Sequence, residues 1–170
     1  YARRALVRIS DNLRRHISMI FQRFLDHSDE RADNVRIELD GRGVVHWDPF
    51  CTEESDLVNT EERTVKINGE NEASFKMNAY VLPRKEEFST PEAAKEARIN
   101  NPNQGIFIYR ESRLIHGPDW LKMFIKEPHF SLLRVEFSFD HRLDEAFQID
   151  IKKSQIILND AIFDEITDFL

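Results

Sequence analysis

The sequence predicts an α+β or mixed α/β fold, and three observations carry that expectation. Residues 35–39 and 132–139 alternate apolar and polar side chains with the period of a half-buried strand. Residues 5–27 and 159–170 instead repeat apolar side chains at helical steps. Along the whole chain, strand-like and helix-like stretches number about seven or eight against three or four.

In order, Leu6, Ile9, Leu13, Ile17, Ile20 and Phe24 define one face of a long helix over about 5–27. Its arginines fall mostly outside that stripe. The plain reading is an amphipathic helix packed on a sheet with solvated arginines. Val35–Leu39 and Gly43–Trp47 form two strands joined by a tight turn at Asp40-Gly41, both residue types that tolerate positive φ. Asp40-Gly41-Arg42-Gly43 has the look of a nucleotide loop, but no helix start follows it, so it reads as a turn. Residues 51–61 are acidic and read as a loop. Strands follow at Thr64–Ile67 and Phe75–Leu82, the latter stopped by Pro83.

Thr90-Pro91 opens a short helix with an N-cap and a proline at its first position. Gly105–Tyr109 is a strand that turns at 110–113 into Leu114-Ile115, and Pro118–Phe124 reads as the start of a short helix. Leu132–Phe139 is a strand, Asp140 caps a turn of helix, and Ile149-Asp150-Ile151 is extended again. Lys152-Lys153-Ser154 then leads to the apolar run 155–158, and Asn159 or Asp160 caps a last helix.

Composition narrows the chemistry. The chain has 170 residues, 41% hydrophobic and 32% charged, with thirteen Phe, enough for a sizeable core in one domain. Five Gly leave little material for phosphate loops, and the lone Cys51 excludes an internal disulfide and fits a reducing, cytoplasmic setting. No stretch has the apolar length of a membrane span or the pattern of a signal peptide. The net charge of −7 argues against nucleic-acid binding by the whole surface, yet Arg3, Arg4, Arg8, Arg14, Arg15 and Arg23 face only Asp11 within the first 25 residues. The chain begins at Tyr1 and stops at Leu170 inside an amphipathic pattern, which reads as a module cut from a longer protein.

His16, His27, His46, His116, His129 and His141 show no metal-ligand spacing. The serines lack a nucleophile-elbow setting, and Glu53 and Glu54 beside Cys51 would raise its thiol pKa rather than activate it. Asp140, Asp144 and Glu145 read as capping and surface carboxylates. Lys152-Lys153 stands apart, because a lysine at such an element boundary presents a mobile point charge suited to phosphate. A solvated turn is the plain alternative.

Several blocks, in order, resemble one family. His16–Leu25 precedes His46-Trp47-Asp48-Pro49-Phe50 and Tyr80-Val81-Leu82-Pro83. Asn103-Gln104-Gly105 follows, running through Tyr109-Arg110 to Arg113-Leu114-Ile115, and the last block is Leu143 to Ser154. Over about residues 12–158 this order resembles the segment after the ATP-binding domain of bacterial GHKL-type ATPases, the group with gyrase B, heat-shock chaperone, histidine-kinase and MutL-like ATP sites.

The resemblance implies an α+β transducer domain with a mixed β sheet backed by helices, as in a small ribosomal-subunit protein domain. It also implies that a lysine reaches the γ-phosphate of ATP bound next door. Lys153 matches that lysine best, with Lys152 as the alternate. Ala146-Phe147-Gln148 departs from the acidic, aromatic and glycine run that relatives often carry there. ATP and Mg²⁺ would then belong mainly to a preceding ATP-binding domain of the same chain, with neither held tightly by this module. Residues 1–28 would join the module to that domain, and 159–170 would be the cut end of a helix. The resemblance further implies an ATP-dependent homodimer and DNA as a partner of the parent, with no membrane. Two other expectations stand beside it: a nucleic-acid-binding module using Arg3, Arg8, Arg14, Arg15 and Arg23, and a protein-interaction scaffold.

Overall fold

The computed structural model describes residues 2–66, 72–144, 147–150, 155–158 and 160–170. Helix α1 (Ala2–Ile20) is separated by Phe21 from the single turn α2 (Gln22–Leu25), so the one helix predicted over 5–27 is two pieces. Only the inner part packs. Ser18, Gln22, Arg23 and Leu25 are buried, whereas Leu6 is 66% exposed and Ile9 60%. The outer stripe, expected in the core, instead lies beside a small hairpin made of β1 (Glu38–Leu39) and β2 (Arg42–Gly43). Two residues per strand offer too little apolar surface to cover it. Polar bonds hold the hairpin there: Ser10 donates to Asp40, and Arg14 donates to the Leu39 and Gly43 carbonyls at 2.8 and 3.0 Å. Asp40 (φ 53°) and Gly41 (φ 68°) form the predicted turn.

The main sheet has five strands: β3 (Asp56–Lys66), β4 (Glu72–Val81), β5 (Gly105–Arg110), β6 (Arg113–Asp119) and β7 (Leu133–Phe139). Their order is β3-β4-β7-β5-β6, with β5 and β7 parallel and every other pair antiparallel. This is the α+β architecture with a mixed sheet.

Residues 56–61, predicted as loop, are the first half of β3. As an edge strand with Leu57 and Val58 exposed, its outer half shows no alternating burial for the eye to find. Residues 118–124 are not a helix start. Pro118 and Asp119 finish β6, and Leu121 (φ 52°) and Lys122 (φ 68°) adopt left-handed backbone that a right-handed helix cannot contain. The β5–β6 pair needs its glycines: a Cβ on Gly105 (φ 117°) would sit 2.8 Å from the Asp119 backbone, and one on Gly117 (φ 133°) 2.8 Å from the Ile106 carbonyl oxygen.

One face of the sheet, lined by Phe75, Met77, Ile106, Ile108, Val135 and Phe137, packs beneath α4 (Asp160–Phe169) through Ile162, Ile166 and Phe169. The other face meets α1 and α2. Helix α3 (Pro91–Glu96) starts at Thr90, whose hydroxyl accepts from the Ala93 N–H at 3.1 Å, and Asp140 caps a 3-10 turn, both as the sequence predicts. Strands β8 (Phe147–Asp150) and β9 (Gln155–Leu158) pair antiparallel as a separate two-stranded unit. Among the described residues no helix is long and apolar enough to cross a membrane.

Candidate functional site

Lys152 and Lys153, the predicted phosphate lysines, lie outside the described residues. The strands on either side in sequence are β8 and β9, with Asp150 opposite Gln155.

The described parts of the blocks that carry the resemblance divide between the two faces: Ile106, Ile108 and Leu143 pack under α4, whereas Gln22, Trp47, Phe50, Phe107 and Tyr109 lie on the side of α1 and α2. Glu136, 2% exposed on β7, accepts from Arg23, from Arg31 at 2.9 Å and from the Ser138 hydroxyl at 2.9 Å. Arg23 also donates to Ser138 at 2.7 Å and lies 3.8 Å over the Tyr109 ring. The Tyr109 hydroxyl donates to Gln22 at 3.0 Å, so two adjacent residues of α2 grip two strands. Arg31 is gripped in turn by Asp29 through paired bonds of 2.8 and 2.7 Å.

Burial lowers the Arg23 pKa against the raising effect of Glu136. Burial also opposes ionisation of Asp29, but bonds from the Arg31 side chain and backbone outweigh it and hold that carboxyl below the usual range. The Tyr109 phenol is pushed far above its ordinary value by burial, so it remains a neutral donor. These groups are positioned to hold α2 on the sheet. Arg110 pairs with Asp144 through two bonds of 2.6 Å, and Arg113 sits 5.4 Å over Phe21. Gln104 joins Trp120 and the Glu127 backbone.

A second cluster gathers around Trp47. Its indole N–H donates to the Glu96 carbonyl at 2.8 Å, and the Arg98 guanidinium lies 4.4 Å from its ring centroid. Behind it Arg134, fully buried, donates to the carbonyls of Pro49, Ala97 and Arg98 and has no carboxylate partner among the described residues. Desolvation lowers the Arg134 pKa to about 10. On the outside, Arg15, His16, Lys95 and Arg98 line a cleft of ≈ 910 Å³ between α1 and the segment around α3.

Cys51 is not placed as an activated nucleophile. Burial, more than its acidic neighbours, pushes the Cys51 thiol up to about 11, with Asp48 and Glu54 adding to it. Among the described residues no three His, Cys, Asp or Glu side chains gather as a metal site. The candidate nucleic-acid arginines are dispersed. Arg14 is committed to the hairpin carbonyls and Arg23 to Glu136, while Arg8 and Arg15 remain exposed.

Glu136, Arg134 and Trp47 were not singled out by sequence reasoning as site residues. The signal available was the polar half of the alternation at 134, 136 and 138, whose charges suggest solvent but in fact lie under helices. Compared with protein-family models, curated proteins and solved structures, the chain matches none.

Proposed function

We propose that this chain is the transducer domain of a bacterial GHKL-type ATPase, coupling ATP binding and hydrolysis in a neighbouring domain to conformational change, with Lys153 as the γ-phosphate sensor. The observation that carries the reading is the lysine pair in sequence between two paired strands, in a chain where two of the motif blocks are bonded to each other through Gln22 and Tyr109. A lysine supplied there brings a flexible point charge to a phosphate held by another body. The contact exists only with triphosphate, so it both stabilises charge developing on the transferred group and reports its loss.

The lattice of Arg23, Glu136, Tyr109 and Gln22 supports the mechanical half of the reading. It makes α2 and the sheet one stiff unit through which a pull can travel. In this reading ATP and Mg²⁺ are bound by the preceding domain of the same cytoplasmic protein, which dimerises with ATP, and Lys152 is the alternate sensor. The test is Lys153→Ala in the protein that carries both domains. Turnover should fall by about two orders of magnitude with ATP affinity changed far less. Unchanged turnover in both Lys153→Ala and Lys152→Ala removes the reading.

A further inference from the structure

Several arginines pair with carboxylates: Arg23 and Arg31 with Glu136, Arg63 with Glu165, Arg110 with Asp144 and Arg142 with Asp140. Around Trp47, in a chain with net charge −7, cations gather with little carboxylate beside them. Arg15 and Lys95 make no ion pair among the described residues. Arg98 has only Glu96, at 3.8 Å and with a side chain 72% exposed. Arg134 behind them donates to backbone carbonyls alone, and its buried Nε has no hydrogen-bond partner among the described residues. Arg98 and Arg134 thus lie over the Trp47 ring, and Arg15 and Lys95 line the same cleft, whose one lining carboxylate is Glu96; Asp48 adds a negative charge that Arg134 feels.

Arg98 is also held in advance. Its backbone is left-handed (φ 49°), uncommon for a residue with a Cβ. Its carbonyl accepts from Asn103 at 3.0 Å and from Arg134 at 3.3 Å, and its guanidinium lies on Trp47. Strained backbone persists where its surroundings over-determine it, and such places are enriched in ligand sites. The stacked guanidinium keeps a planar fork of N–H donors with little rotamer freedom left to lose, the geometry that suits a phosphate. Arg15 and Lys95 are mobile charges at the rim, and Asn12 and Asn100 add neutral amides to the lining.

We infer that the cleft between α1 and the α3 segment binds a phosphate group, with Arg98 as the fixed donor and Arg15 and Lys95 closing on the anion. This inference does not depend on the Lys153 reading. The phosphate is either that of a small free phosphate compound or the phosphodiester of a single-stranded nucleic acid.

The whole chain is titrated calorimetrically with pyrophosphate and, separately, with a single-stranded DNA oligonucleotide. The double variant Arg15→Gln/Lys95→Gln, both sites exposed and free of structural bonds from their side chains, should weaken binding about tenfold or more at an unchanged melting temperature. Arg98→Asn, which tolerates the left-handed backbone, should weaken it similarly. Arg4→Gln/Arg8→Gln, on α1 but outside the cleft, should change it less than twofold. Pyrophosphate binding alone identifies a free phosphate compound. Tighter oligonucleotide binding, with a salt slope that drops by about 1.4 in the Arg15/Lys95 variant, identifies the phosphodiester. The inference is overturned if neither ligand binds at millimolar concentration, or if the Arg4/Arg8 variant loses as much as the Arg15/Lys95 variant.

Discussion

On β7, Val135, Phe137 and Phe139 pack on the side of α4, while Arg134, Glu136 and Ser138 lie on the side of α1 and α2. Both sides are covered, but by different physics. Under α4 the contacts are apolar and non-directional, with Phe75 stacked on Phe137 at 5.1 Å, so their strength follows area and fit. Under α2 a smaller apolar cluster of Trp47, Phe50, Phe107, Tyr109 and Leu114 is joined by buried bonds of Gln22 and Arg23, each with a donor, an acceptor and an angle. A shift of α2 by one residue would part the buried Arg23 guanidinium from Glu136 and Ser138, at a cost no apolar slip would incur. The apolar face supplies cohesion, and the polar face fixes where the helical arm sits. That division suits a domain that must pass on a displacement rather than absorb it.

Paired substitutions distinguish the two faces with the largest effect. Glu136→Ala leaves Arg23 buried without its counter-charge and should cost about 3–5 kcal/mol, read from the urea midpoint. Phe137→Ala on the opposite side should cost about the same, by opening a cavity. A second change then separates the faces. Arg23→Met added as Glu136→Met should recover most of the loss, because an apolar pair of similar volume replaces a charged one without leaving a charge behind. Phe75→Ala added to Phe137→Ala should deepen it, since both rings line one cluster. A double Met variant as unstable as Glu136→Ala would mean that the polar face is not held by the pairing described here.

A smaller effect lies at the rim of the same lattice. Asp29 has a folded pKa below its ordinary value, so its bonds to Arg31 stabilise the fold above the unfolded carboxylate pKa of about 3.9. That stabilisation is lost as the pH falls through the lower folded value. Asp29→Asn should therefore lower the melting temperature at neutral pH by less than Glu136→Ala does. The gap between Asp29→Asn and the unaltered protein should narrow as the pH falls below the unfolded value of about 3.9. A gap that persists undiminished below that pH would show that the aspartate acts through its shape and not its charge.

These contrasts also explain what could be seen in the sequence. Strands β4, β5 and β7 were legible because the apolar face imposes a run or an alternation on them, and Thr90 and Asp140 were legible because capping is local chemistry. The partners of Glu136 were not. Arg23 and Arg31 lie more than a hundred residues away, and alternation alone cannot tell a polar face open to water from one under a helix. Residues 56–61 failed for the opposite reason: an edge strand held by the ladder to β4 needs no apolar face of its own. At the cleft, Arg15 was visible as one of several helix arginines, but Lys95 and Arg98 join it only through the fold.

The smallest expected effect tests the boundary between the covered arm and its exposed extension. Leu6 and Ile9 share a helical stripe with Ile17 and Ile20, and by pattern they should be core. Instead they are 66% and 60% exposed, whereas Leu25 is 6% exposed. If burial rather than pattern sets energy, Leu6→Gln and Ile9→Gln should each shift stability by no more than about 0.5 kcal/mol. Leu25→Ala should cost about 2–5 kcal/mol. Thermal unfolding of the dilute protein distinguishes the two. A loss at Leu6 or Ile9 matching that at Leu25 would mean that the outer half of α1 is packed in solution, and that the polar lattice holds a longer arm than the contacts of this chain define.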